Sequence, residues 1–210
     1  MNPVSIKSLG HACFMIDDGA CRLVIDPYDD ATGYPPLRVE ASMLLMSHGH
    51  HDHSFKEGVT LIPGGEIPYK TVEAFHDDVG GTKRGQNKVF VFEMNGLKIC
   101  HCGDLGHIPT AEQYSAIGKV DVLFIPVGGF YTVDPAQAAG IVRKIGPAVV
   151  IPMHYKVEGL KNPISGVDDF LNEIKGDYEI TRLDLEGIGS IELSKEDISG
   201  KKVVVLKMPM

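Results

Sequence analysis

The chain has 210 residues, of which 43% are hydrophobic and 23% charged, with a formal net charge of −8. At roughly 150 residues per domain this length predicts a single domain spanning 1–210, with an ordinary globular core. The acidic balance disfavours a general nucleic-acid binder, which needs a basic face to neutralise phosphates.

Short β-type runs open the chain: Val4–Leu9, Cys13–Ile16, Arg22–Asp26 and Ser42–Ser47, each bounded by Gly, Pro or Asp. Further strands are expected at Val59–Ile62, Thr71–Phe75, Lys88–Met94 and Lys98–Cys102, with Asn95-Gly96 as a hairpin turn. Val120–Pro126 and Ala148–Pro152 are continuously apolar, as strands buried on both faces are. Three helices carry end signals. Thr110 with Gln113 forms a capping box ahead of Gly118; Asp134 caps a helix with Pro135 at its first position, ending at Gly146; Ser165 with Asp168 repeats the pattern, closed by Gly176. The tail returns to strand-like runs at Tyr178–Leu183, Gly189–Leu193 and Lys202–Lys207. Strands followed by helices, twice over, predict an α+β fold of two mixed sheets with helices outside.

No basic stretch precedes a long apolar run at the N-terminus, and no window approaches a membrane span, so a cytoplasmic protein without membrane attachment is expected. Cys13, Cys21, Cys100 and Cys102 form no C-x-x-C pair and are expected to be reduced and buried.

The chemistry concentrates in Leu44-Leu45-Met46-Ser47-His48-Gly49-His50-His51-Asp52-His53, where an apolar strand runs into four imidazoles and a carboxylate. Such a cluster would repel itself if protonated; a divalent cation removes the problem, since neutral imidazole and carboxylate are its ligands. Gly49 lets His48 and His50 converge on one ion, while Asp52 and His53 point to a second position.

Here the sequence resembles the metallo-β-lactamase superfamily, whose H-x-H-x-D-H motif is matched by His48, His50, Asp52 and His53. The remaining elements follow in order: His76 after Val72-Glu73-Ala74-Phe75, Asp104 in Cys102-Gly103-Asp104, and His154 after Val149–Met153. The resemblance implies a four-layer αββα sandwich and two divalent metal ions, with Zn²⁺ the first choice and Mn²⁺ or Fe²⁺ the alternatives. It implies that His48, His50 and His76 hold one ion and that Asp52, His53 and His154 hold the other. Asp104 would bridge them, and Asp52 would also act catalytically by orienting the nucleophile.

Leu9-Gly10-His11-Ala12, Ile25-Asp26-Pro27, His101-Cys102-Gly103-Asp104, Pro126-Val127-Gly128-Gly129 and Ile151-Pro152-Met153-His154-Tyr155 are similar to the L-ascorbate-6-phosphate lactonase-like branch. The implied activity is hydrolysis of a small lactone, ester or thioester, with a phosphodiesterase or nuclease of the same superfamily as the alternative. Iron redox chemistry and a non-enzymatic metal sensor are further readings. The first is disfavoured because His50 stands where the flavodiiron branch has glutamate, the second by the complete ligand set.

Four histidines lie outside that set. His51 is expected to face solvent, and His101 to be buried and turned away from Asp104; His107 could line the cleft, and His11 could approach the site. Lys83-Arg84, in a glycine-rich loop after His76, could meet an anionic group on a small-molecule substrate, and Gly128-Gly129-Phe130-Tyr131-Thr132 could offer backbone N–H groups. Homo-oligomers are compatible with the sequence.

Overall fold

A computed structural model describes residues 2–158, 163–196 and 198–210. Fourteen strands are found among them. The first half contributes β1 (Val4–Gly10), β2 (Cys13–Asp17), β3 (Arg22–Ile25), β4 (Val39–Ala41), β5 (Met43–Leu45), β6 (Val59–Leu61), β7 (Tyr69–Phe75), β8 (Gln86–Met94) and β9 (Leu97–His101). The second contributes β10 (Val122–Pro126), β11 (Val149–Met153), β12 (Glu179–Arg182), β13 (Ser190–Leu193) and β14 (Lys202–Val205), with helices α1 (Ala111–Ile117), α2 (Pro135–Ile145) and α3 (Val167–Ile174).

Two mixed sheets carry the fold. One has the order β13-β1-β2-β3-β5 and the other β12-β14-β11-β10-β9-β8-β7, while β4 and β6 form a separate ribbon. In the first sheet β3 and β5 run parallel and the other pairs antiparallel. In the second, β9, β10, β11, β14 and β12 are parallel, with β8 and β7 added as antiparallel strands. The sheets pack through one shared core, where Phe14 of β2 meets Phe124 of β10 edge-on at 4.6 Å. Every residue of β10 and β11 is buried, as their unbroken apolar sequence requires. This is the α+β sandwich expected, with α1 against β7, α2 against β10 and α3 against α2.

The helix ends show which local signals were followed. Thr110 and Gln113, and Asp134 and Gln137, make both reciprocal bonds of a capping box. The third helix departs from expectation: its N-cap is Gly166, with no side-chain cap. The backbone of Ser165 is engaged elsewhere, its N–H donating to Gly128 O and its carbonyl accepting from Lys156 N. The helix also ends at Ile174, capped by the N–H of Lys175 one residue before Gly176. The expected strand Ser42–Ser47 is found as the shorter β5, Met43–Leu45. Ser42, just before β5, keeps a backbone bond from its N–H to Arg22 O, while its hydroxyl accepts from Arg22 N and donates to Gly65 O.

Candidate metal centre

β5 ends at Leu45, and the chain then turns across the top of the two sheets. Asp26, just past β3, organises that turn. Its buried carboxylate accepts from Ser47 N at 2.7 Å, Ser47 Oγ at 2.7 Å and His53 Nδ1 at 3.1 Å. Ser47 Oγ in turn accepts from His48 Nδ1 at 2.9 Å, because its own proton is committed to Asp26. His76 Nδ1, at the end of β7, donates to the Tyr131 carbonyl at 2.9 Å. All three imidazoles therefore carry their fixed proton on Nδ1 and turn Nε2 inward. This is how a metal-ligating histidine is oriented by its outer partner.

Asp104 receives them. It follows Gly103, whose φ is +54°, and a Cβ at that glycine would lie 2.4 Å from Asn87 Oδ1 and 2.6 Å from Ser47 Cβ. Only glycine admits this close approach of β9's continuation to the His48 loop. Asn87 locks the turn by donating to Cys102 O and accepting from Asp104 N. Asp104 Oδ2 then lies 3.0 Å from His76 Nε2, 3.2 Å from His53 Nε2, 3.3 Å from His154 Nε2 and 3.9 Å from His48 Nε2.

Two groups of potential ligand atoms lie side by side. One contains His48, His50 and His76; the other contains Asp52, His53, His154 and also His11; Asp104 falls with His48 and His53. These are the two sets implied by the sequence, with His11 as an addition. His11 Nε2 is 3.5 Å from Asp52 Oδ2, and its ring is 4.1 Å from that of His154. His11, Asp26 and His154 all adopt left-handed backbone, with φ of 55°, 52° and 51°. Non-glycine residues are held in that region where surrounding structure compels it, commonly at functional sites.

Burial and mutual charge shape the electrostatics. Burial lowers His48 and His11 to about 4, aided at His48 by neighbouring His53 and at His11 by His154. Burial also opposes the charge on His53, but the carboxylates of Asp104 and Asp26 outweigh it and push this imidazole up. Asp104 and Asp52 are likewise held as carboxylates against burial by the histidines beside them.

The donor set fits divalent cations. His11 Nε2, His48 Nε2, His53 Nε2, His154 Nδ1 and Asp104 Oδ1 are buried without a hydrogen-bond partner. Each such orphan costs about 1–3 kcal/mol. His48 Nε2 and His53 Nε2, which face Asp104, and His11 Nε2, which faces Asp52, are what cation coordination would satisfy. His154 faces Asp104 through Nε2 instead of its orphaned Nδ1.

The other histidines separate clearly. His51 is exposed and paired with Asp29 at 2.9 Å. His101 is buried, contacting Ala12 O through Nε2 and accepting from Gly103 N. His107 leaves the cleft: its Nε2 accepts from Phe75 N and its Nδ1 donates to Ile108 O, capping the end of β7. Cys13, Cys21, Cys100 and Cys102 are free and buried. Sequence reasoning missed Asp26, Ser47 and Asn87, which orient the ligands without being candidates themselves. The buried strand running into Ile25-Asp26-Pro27 was the available signal for Asp26.

Above the cluster opens a cleft of about 440 Å³, lined by His11, His50, Asp52, His76, Asp104 and His154 together with Ala31, Thr32, Arg84, Tyr131 and, at its exposed rim, His51. No helix among the described residues is long and apolar enough to cross a membrane.

Residues 5–154 match the family described as the Beta-lactamase superfamily domain. A UPF0173 metal-dependent hydrolase of Thermoplasma acidophilum is 30% identical over 182 residues, covering 70% of this chain and 80% of that one. Among solved structures, a chain from Thermotoga maritima assigned to the Zn-dependent hydrolases of the metallo-beta-lactamase superfamily superposes with a TM-score of 0.73. It is 34% identical, with 98% of this chain and 99% of that one covered. Igni18, a metallo hydrolase from Ignicoccus hospitalis, shares the fold at a TM-score of 0.63 and 17% identity, over 100% and 97% of the two chains. The chain belongs to the beta-lactamase superfamily, as one of its metal-dependent hydrolases with the metallo-β-lactamase fold.

Proposed function

We propose that residues 1–210 act as one domain that hydrolyses a small carboxylic ester, lactone or thioester in the cleft above Asp104. Two divalent ions would be held there, one by His48, His50 and His76 and one by Asp52, His53 and His154, with Asp104 shared. The observation that carries this reading is the set of orphaned buried atoms around Asp104, which protein groups leave unsatisfied. Zn²⁺ is the first candidate, because imidazole and carboxylate suit it, while Mn²⁺ and Fe²⁺ accept the same ligands.

When bound, such ions polarise an acyl carbonyl and lower the pKa of water toward neutrality. The protein's own part is positioning. Asp26, Ser47 and the Tyr131 carbonyl fix three imidazoles by their Nδ1 protons, so no reorganisation is needed at the moment of reaction. Asp52 lines the cleft as a carboxylate with one oxygen 3.5 Å from His11. It accepts a hydrogen bond from the attacking water, orients its oxygen toward the acyl carbon and takes its proton. Breaking the C–O or C–S bond returns that proton to the leaving alcohol or thiol. The cleft volume suits a small molecule. The lactone is included on the lactonase-like turns alone.

Elemental analysis of wild type and Asp104→Ala, with hydrolysis assays on a lactone, a thioester and bis(p-nitrophenyl) phosphate, tests the reading. About two metals per wild-type chain, falling in the variant together with acyl hydrolysis, is the expected result. Preferential turnover of the phosphodiester, or acyl hydrolysis unaffected by the loss of Asp104, would overturn it.

A further inference from the structure

The loop joining β7 to β8 is organised by one carboxylate. Asp77, next to His76, accepts N–H groups from Val79 at 3.0 Å, Gly81 at 2.7 Å, Lys83 at 2.9 Å and Arg84 at 2.8 Å. The loop closes on itself through Gly85 N to Gly81 O and His76 N to Gly85 O. Its base is thus the strand end that carries His76, and its product is the placement of Arg84.

The Arg84 guanidinium lies over the ring of Tyr131, with 3.9 Å between its central carbon and the ring centroid. Tyr131 is the residue whose carbonyl fixes His76. Arg84 and Tyr131 both line the cleft with His50, His76 and Asp104. Among the described residues lining it, Arg84 is the one permanent cation, and no carboxylate among the described residues pairs with its guanidinium. Its neighbour Lys83 does not line the cleft: its Nζ lies 4.0 Å from Asp78, and it lines an adjoining depression that shares His76, Arg84 and Tyr131 with the cleft. Stacking fixes the guanidinium plane while leaving its N–H edge open to a planar, two-oxygen acceptor. Less side-chain entropy is then lost on binding than for a free surface arginine.

We propose that Arg84, seated on Tyr131, is the specificity-determining residue of the cleft. The substrate accordingly carries a carboxylate or phosphate group at a distance from the acyl bond that is cleaved. This rests on the hydrolase reading above and adds the substrate's charge to it.

The test is calorimetric binding to metal-loaded wild type, Arg84→Gln and Arg84→Lys. Adipate and hexanoate share a chain length and one carboxylate and differ in the second; 3-phosphonopropionate and propionate make the matching phosphorus pair. Wild type should prefer the dianion of at least one pair by about 10-fold, the worth of one charge-assisted contact. The better pair names the group. The preference should fall to within about 2-fold in Arg84→Gln and be partly retained in Arg84→Lys. No preference in wild type, no binding of any acid, or a preference untouched by Arg84→Gln would overturn the proposal. So would a drop in the metal content of Arg84→Gln, since the effect would then belong to His76. Hydrolysis of uncharged esters without a dianion preference would leave the hydrolase reading standing and this one fallen. A dianion preference lost in Arg84→Gln, with no acyl hydrolysis, would do the reverse.

Discussion

Replacing Asp26 by asparagine tests whether the ligand imidazoles are aimed from behind. Asp26 has no solvent exposure, and its two oxygens accept three hydrogen bonds, from Ser47 N, Ser47 Oγ and His53 Nδ1. In Asp26→Asn one oxygen can keep the Ser47 N–H, but the amide NH₂ then faces two donors. The reversed amide meets the Ser47 N–H instead, so either orientation sets donor against donor. Bonds to a charged acceptor contribute about 1.5–3 kcal/mol each. Rotation of the Ser47 hydroxyl recovers part of one, leaving an expected net loss of about 2–4 kcal/mol. His53 can restore its own contact only by moving its proton to Nε2, which removes the lone pair turned toward Asp104. Metal affinity should therefore fall about 10–100-fold, the usual effect of removing an outer partner. Urea unfolding with chelator present reads the first quantity, and competition against a chromophoric chelator reads the second. A folded variant binding metal within about 2-fold of wild type would refute the idea that Asp26 sets the inward aim of Nε2.

Other outcomes are expected. Gly103→Ala places a methyl 2.4 Å from Asn87 Oδ1 at a φ of +54°; left-handed strain and overpacking together should cost about 2–5 kcal/mol in urea unfolding, and a cost under about 1 would contradict the close approach. Burial lowers His11 and His48 to about 4 in the metal-free protein. The unfolded chain, with imidazoles near the ordinary value of about 6.5, binds more protons between those limits. Their contribution to stability is thus fully present above about pH 6.5 and is lost as pH falls toward 4; an unchanged urea midpoint across that window, with chelator present, would contradict it. Burial pushes the Cys13 thiol up, and a bond with Cys102 together with burial does the same at Cys100. All four cysteines should resist a thiol-reactive chromogen in the native protein and react on unfolding, and rapid native labelling of any of them would show it more open than its burial.

The sequence spelled out the centre because it is built from short contiguous signals. His48-x-His50-x-Asp52-His53 sits on one turn after one strand, and His76, Asp104 and His154 each follow a recognisable strand end. The continuously apolar runs became β10 and β11, and the Thr110 and Asp134 boxes became caps, because those contacts are local. Misreadings arose where distant backbone competed. Ser165 was expected to cap a helix, but its N–H and carbonyl were taken by Gly128 and Lys156. His107 was near Asp104 in sequence, yet the turn carries it to the end of β7. Asp26 went unseen because its three bonds reach residues more than twenty positions away.

The pairing of β1 with β13 joins Val4 to Leu193, and the second sheet is completed by β12 and β14 outside β11. Every proposed ligand precedes residue 155, yet both sheets have strands that come later. A nascent chain that has delivered His154 from the ribosome still presents β1 and β11 as open edges, with backbone N–H and C=O groups ready to pair with a neighbour. The candidate ligands are thus all synthesised before the strands that complete either sheet. The final thirty or so residues act as a clasp, and ribosome-bound intermediates stalled before β12 should be the species that chaperones hold.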